Sequence, residues 1–198
     1  MITKPKLFII ESLEFKDEKD EYFEGQIISK ILKFAQIESQ YYYVRTKREF
    51  EHVLGLFKES NYRYLHISCH GNTKGISTTL DNISFKELGL LLHNVIDNKR
   101  LFISACSVMN KNLAEEILQI TDCYSIVGPS KKIYMDDAVI FWSAFYQLMF
   151  KVNPSKMNRN TLEKTLRKLV DTFKIPIKYF ATSENSMKGW EEIDLDNF

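Results

Sequence analysis

Two short apolar runs in this chain end in side chains that could act on one another. The first, Tyr64-Leu65-His66-Ile67-Ser68-Cys69-His70-Gly71, closes on an imidazole followed by glycine. The second, Leu101-Phe102-Ile103-Ser104-Ala105-Cys106-Ser107, closes on a thiol between two small residues. Set as neighbouring parallel strands, they bring His70 and Cys106 out at the same edge of one sheet. A thiol attacks a carbonyl well when a base or a positive field raises its thiolate fraction. A histidine within reach can do that, and can later protonate a leaving amine. The chemistry predicted is nucleophilic catalysis by a Cys–His pair. Gly71, lacking a Cβ, lets a substrate backbone come close, and its N–H could join that of Cys106 in holding an oxyanion. The alternative is that Cys106 is one more buried cysteine packing as a small hydrophobe. Two strand-end residues of complementary type, one followed by glycine, favour the site.

Elements that could position such a pair are legible on both sides of it. Lys6–Glu11 is an apolar run of strand length. The charged stretch Glu14–Glu21 reads as a solvated loop. From Glu21 to about Ile37 the apolar positions recur at three and four, the mark of an amphipathic helix. Gln40–Arg45, aromatic and β-branched, predicts a second strand. Lys47–Glu59 predicts a second helix, with Phe50, Val53, Leu54 and Phe57 on one face and His52 off it, in solvent. Tyr64–Cys69 is the third strand, followed by glycines and asparagines that suggest a small hairpin. Ser84 and Glu87 have capping-box spacing and start a helix over Phe85–Val95. Near its end His93 suits the helix dipole, a structural role. Leu101–Ala105, Tyr124–Gly128 and Ile177–Ala181 read as further strands. Helices are expected over Asn112–Ile120, Asp136–Phe150 and Asn158–Phe173, and the tail to Phe198 is ambiguous.

Strands alternating with helices predict an α/β fold with a mostly parallel central sheet of about six strands, covered on both faces. Such sheets bind and react at the carboxyl ends of their strands, where the connection order reverses. His70 and Cys106 both fall at strand carboxyl ends. The 198 residues fit a single domain spanning 1–198.

The totals exclude several classes. A net charge of +1 favours neither a nucleic-acid binder nor a specialist in acidic substrates. No apolar run approaches the roughly 20 residues needed to span a membrane. Met1–Lys6 lacks a signal-peptide core and cleavage site. Three cysteines without regular spacing make no disulfide framework. The expectation is a cytoplasmic protein in which a thiol is free to do chemistry.

The two motifs together resemble those of clan CD cysteine peptidases, and within that clan the CHAT group of caspase-like domains, related to separase and caspases. That group has a His-x-x-x-His-Gly strand end, then an apolar strand ending in Ser-Ala-Cys. Ser125-Ile126-Val127-Gly128, the step Asp136-Asp137-Ala138, and Phe145-Tyr146-Gln147-Leu148 are similar to its downstream strand, acidic turn and helix. The resemblance covers roughly Tyr64 to Phe150. It implies a caspase-like three-layer sandwich and a cysteine endopeptidase acting on a protein substrate without a cofactor. Cys106 would be nucleophile, His70 its partner, and the amides of Gly71 and Cys106 the oxyanion hole. His66 matches the motif's first, non-catalytic histidine and is structural. Strand alternation turns Cys69 to the opposite face, into the core.

Relatives that cleave after arginine or lysine hold that cation with an acidic residue, often after the fifth strand, where Asp136 and Asp137 sit. A carboxylate there would pair with a P1 cation through charge-assisted hydrogen bonds. The alternative for both is a helix N-terminus, favoured by capping and the dipole. Ser130-Lys131-Lys132-Ile133 departs from the group's pattern, and its lysines would repel a basic P1 side chain if they faced the pocket. Two other readings compete with a peptidase. One is a catalytically silent interaction or signalling domain of the same fold. The other is a metal site built from His66, Cys69, His70 and Cys106, which strand alternation opposes by turning Cys69 away. A short chain without a sensing domain suggests control by a regulatory protein partner or by self-association.

Overall fold

The computed structural model of the chain describes residues 4–195. The first three residues of the segment read for a leader, and the last three of the ambiguous tail, lie outside them. Ten strands and seven helices follow in the order β1 (Lys4–Glu11), α1 (Phe15–Lys19), α2 (Glu24–Phe34), β2 (Ser39–Tyr43), α3 (Lys47–Ser60), β3 (Tyr62–Ser68), β4 (His70–Gly71), β5 (Gly75–Ser77), β6 (Asn82–Ser84), α4 (Phe85–Leu92), β7 (Arg100–Ser104), α5 (Lys111–Leu118), β8 (Ser125–Pro129), α6 (Met135–Val152), α7 (Arg159–Phe173), β9 (Ile177–Thr182) and β10 (Trp190–Ile193).

Seven strands form the main sheet in the order β10-β9-β8-β7-β3-β1-β2. The five from β2 to β8 are parallel, and β9 and β10 close the far side in antiparallel register. The sheet thus has one strand more than expected, because the ambiguous tail supplies β10. Strands β4, β5 and β6 make a separate small antiparallel sheet where the sequence suggested a hairpin. The connection order reverses between β1 and β3, so the crevice expected of a doubly wound sheet opens at their carboxyl ends.

Two apolar clusters make the outer layers. One packs the sheet against α3, α4 and α5 through residues such as Phe57, Leu65, Leu88 and Ile117. The other packs it against α2, α6 and α7 through Ile28, Trp142, Tyr146 and Leu166. The helices start where local chemistry dictates. Thr46 with Glu49, and Ser84 with Glu87, form complete capping boxes, and Asn110 and Asn158 cap α5 and α7. Helix α2 differs, because Phe23 offers no capping side chain. The Glu11 carboxyl reaches over from β1 instead and accepts from Gly25 N (2.7 Å) and Gln26 N (3.2 Å). That approach needs Gly25, since a Cβ there would stand 2.8 Å from Ile9 Cγ2.

The stretch Glu14–Glu21, expected as a solvated loop, holds the short helix α1. It buries no residue and is held by polar contacts. Glu18 receives Arg45 through Nε (2.9 Å) and Nη2 (2.6 Å), and also the Tyr43 hydroxyl. These partners hold the charged stretch in place where composition alone predicts solvent.

Candidate active site

Register along β3 and β7 pairs Ser68 with Ser104, so the residues just beyond leave the sheet side by side. Cys69 N donates to Ser104 O (3.1 Å), continuing the ladder one step before the chains diverge. His70 then enters β4, and Cys106 enters a tight turn in which Ser107 adopts a left-handed conformation, with φ of 60°. Gly71 is required by packing. A Cβ there would meet Val108 Cγ1 at 2.5 Å and Ala105 Cβ at 3.1 Å. Its role is to let β4 lie directly on the segment that carries the thiol.

His70 and Cys106 line one cavity of about 310 Å³, together with Leu13, Ser68, Ser104, Ala105 and the segment 132–135. No hydrogen bond joins the imidazole to the thiol. Cys106 Sγ instead lies 3.6 Å from Ile133 O, to which it donates. Ser107 N and Met109 N donate to Lys131 O and Pro129 O, which ties the Cys106 turn to the same segment. The Cys106 amide donates to no protein acceptor among the described residues. His70 Nε2 faces Asp17 Oδ2 at 2.5 Å.

The cavity floor holds a group missed in the sequence. Glu24, at the start of α2, is 3 % exposed and takes hydrogen bonds from Ser68 Oγ (3.0 Å) and Ser104 Oγ (2.9 Å) on one oxygen. Its other oxygen stands 3.4 Å from His66 Nε2 and makes no hydrogen bond. Glu24 also lines an adjoining cavity of about 460 Å³ with Glu21, Tyr22, Ile27, Tyr134, Met135 and Asp136. The pattern around Glu24 in the sequence is that of an amphipathic helix start, and only the fold turns it under the two strand ends.

His66 lies within the aromatic layer, with Nδ1 2.8 Å from Tyr146 Oη and its ring edge-on to Trp142. Beside this group is Glu11, whose carboxyl burial pushes up to about 7 despite its hydrogen bonds, with the charge of Glu24 adding to the rise. Cys69 packs against the opposite apolar cluster while bordering the cavity, and burial pushes its thiol up to about 12. Cys123 is fully buried, and its thiol is likewise pushed up to about 12.

The acidic pair separates. Both residues are exposed in the first turn of α6, where Tyr134 provides no side-chain cap. Asp136 borders the larger cavity, and Asp137 borders neither. Lys132 is on the wall of the smaller cavity, with its ammonium 6.0 Å from the Tyr134 ring centre. Among the described residues, the ligand atoms of Glu14, Asp17 and His70 lie within 4.8 Å of one another, and Glu14 is exposed. His66, Cys69 and Cys106 are not members of that group. Also among the described residues, no helix is long and apolar enough to cross a membrane.

No protein-family model and no curated protein sequence matches the chain. Solved structures do. A secreted C11 cysteine protease from Bacteroides thetaiotaomicron, "iotapain", superposes with a TM-score of 0.63 at 8% identity, over 91% of this chain and 67% of its own. A secreted C11 cysteine protease from the same organism, in complex with an irreversible peptide inhibitor, gives 0.58 at 8% identity, over 90% and 66%. Caspase-1 from Spodoptera frugiperda gives 0.54 at 12% identity, over 97% and 85%. The chain spans about two thirds of the bacterial proteases it matches. At these identities the likeness is one of fold, and that fold is the caspase-like α/β sandwich.

Proposed function

We propose that the protein is a cysteine endopeptidase that cleaves protein substrates after a basic residue. The observation that carries this reading is the shared cavity. Imidazole and thiol leave the carboxyl ends of adjacent parallel strands into one pocket, which the buried Glu24 also lines. The Cys106 Sγ–H proton passes to His70 as sulfur bonds to the scissile carbonyl carbon. The amides of Cys106 and Gly71 hold the resulting oxyanion. The C–N bond then breaks, the amine takes the proton from His70, and water, deprotonated by His70, hydrolyses the thioester. An apo site without a formed His–Cys hydrogen bond is compatible with this, because such contacts tighten in the substrate complex.

The P1 cation is read in the adjoining cavity, which Glu21, Glu24 and Asp136 line, and not beside Lys132, which lines only the cavity of the Cys–His pair. Asp137 serves the N-terminus of α6, where a negative charge suits the dipole. The resting thiol donates to Ile133 O, a contact it gives up on turning toward a substrate carbonyl. A partner protein or self-association that moves segment 130–134 would supply control. A peptidyl-lysine or peptidyl-arginine acyloxymethyl ketone tests the reading. It is expected to modify Cys106 in the wild type and not in His70→Ala. Absence of labelling with candidate activators present would favour a silent interaction domain.

A further inference from the structure

We propose that Asp17 is a positioning residue for His70, so that the working constellation is Cys106–His70–Asp17, assembled in the chain order acid, base, nucleophile. The inference rests on the reading of Cys106 and His70 as nucleophile and base. Asp17 Oδ2 lies 2.5 Å from His70 Nε2, with the two side chains 17% and 38% exposed. A carboxylate can only accept a hydrogen bond, so Nε2 carries the hydrogen and the neutral ring keeps Nδ1 bare. Nδ1 is therefore the nitrogen left to take the thiol proton. When it does, the same carboxylate holds the ring in the orientation that presents Nδ1.

The support of Asp17 is built for that task. A five-residue helix that buries no side chain has little stability of its own. The neighbouring Glu18 is clamped by both guanidinium contacts of Arg45 and by the Tyr43 hydroxyl. The chain just before α1 is fixed by Thr79 Oγ1 donating to Leu13 O (2.7 Å) and by Leu13 N donating to Tyr43 Oη (3.3 Å). The clamp grips the residue next to Asp17 and leaves Asp17 for His70. Glu14 stands nearby but makes no hydrogen bond to the ring, so substituting it provides a charge-matched control.

The test uses the full chain and two independent readouts. Nitrogen-15 NMR at alkaline pH reports the tautomer of neutral His70 and needs no substrate. The wild type and Glu14→Gln are expected to show the Nε2–H form, and Asp17→Ala a mixture enriched in Nδ1–H. On a peptidyl-lysine substrate, Asp17→Ala and Asp17→Asn are expected to lose on the order of 10²-fold in kcat, with KM within about twofold. Asp17→Glu is expected to restore part of kcat. An unchanged tautomer, or kcat of Asp17→Ala equal to that of Glu14→Gln, overturns the proposal. A shifted tautomer in a chain with no peptidase activity would uphold the Asp17–His70 pairing and tell against the peptidase reading alone. Circular dichroism of Asp17→Ala is expected to match the wild type, since α1 contributes no buried residue.

Discussion

The two faces of the central sheet differ in what they bury. Toward α3, α4 and α5, strands β3 and β7 present Leu65, Ile67, Leu101 and Ile103 to an apolar layer. Toward α2 and α6 the same strands present His66, Ser68 and Ser104, which meet Glu24 and Tyr146 in a buried polar group. His66, Ser68, Ser104 and Glu24 are buried, so the second face carries a desolvation cost that the first does not. Of the two buried carboxyls on that face, Glu11 caps α2, whereas Glu24 lines the cavity. The difference identifies the α2–α6 face as the one that serves the cavity, and the other as the scaffold that fixes the strands beneath it.

Substitutions that separate the faces test this contrast. The largest effect is expected at the cavity itself, where His70→Ala should lower kcat/KM by about 10²–10⁴-fold with little change in melting temperature. A structural histidine would show the reverse. On the apolar face, Leu65→Ala should cost about 2–5 kcal/mol in chemical denaturation and leave P1 preference intact. Glu24→Gln should do the opposite, with the preference for lysine or arginine over neutral P1 residues falling on the order of 10²-fold in a peptide library. Unchanged preference would remove Glu24 from the pocket assignment.

The polar face should also titrate. Burial raises the Glu11 carboxyl from 4.5 to about 7, so between those values the folded chain binds a proton that the unfolded chain has released. The Glu11 contribution is therefore complete at low pH and is lost as pH rises through that window. Relative to Glu11→Gln, the wild type should lose roughly 2 kcal/mol of unfolding free energy between pH 5 and pH 8. A parallel pH dependence in the two proteins would show that Glu11 is not strained. The smallest perturbation is chemical. Iodoacetamide at neutral pH should modify Cys106 and leave Cys69 and Cys123 untouched until the protein unfolds, since burial holds both of those thiols protonated.

Much of this architecture is legible in the residues themselves. Apolar runs mark the strands, and the Ser84–Glu87 spacing marks the start of α4, because these signals are local. The two strand-end motifs are legible for the same reason, and the fold brings His70 and Cys106 into one cavity. What escapes is long-range. Asp17 and Glu18 sit in a charged stretch indistinguishable from a solvated loop until Arg45, Tyr43 and His70 arrive from elsewhere in the chain. Glu11 and Glu24 look like an ordinary strand end and helix start. Their burial follows from a strand and a helix packing closely at Gly25, a contact no local pattern encodes. Asp136 and Asp137 lie after the fifth strand, where the resemblance places an acidic residue, whereas Glu24 follows the acidic run Asp17–Glu21 and nothing local sets it apart.

Cys106, with His70, is proposed to cut proteins after basic residues. Mass-spectrometric mapping of newly formed termini in a proteome incubated with the wild type or with Cys106→Ala tests it most directly. The expected wild-type termini follow lysine or arginine and are absent with Cys106→Ala. Equal cleavage by the two proteins would contradict it, as would wild-type sites with no basic residue at P1.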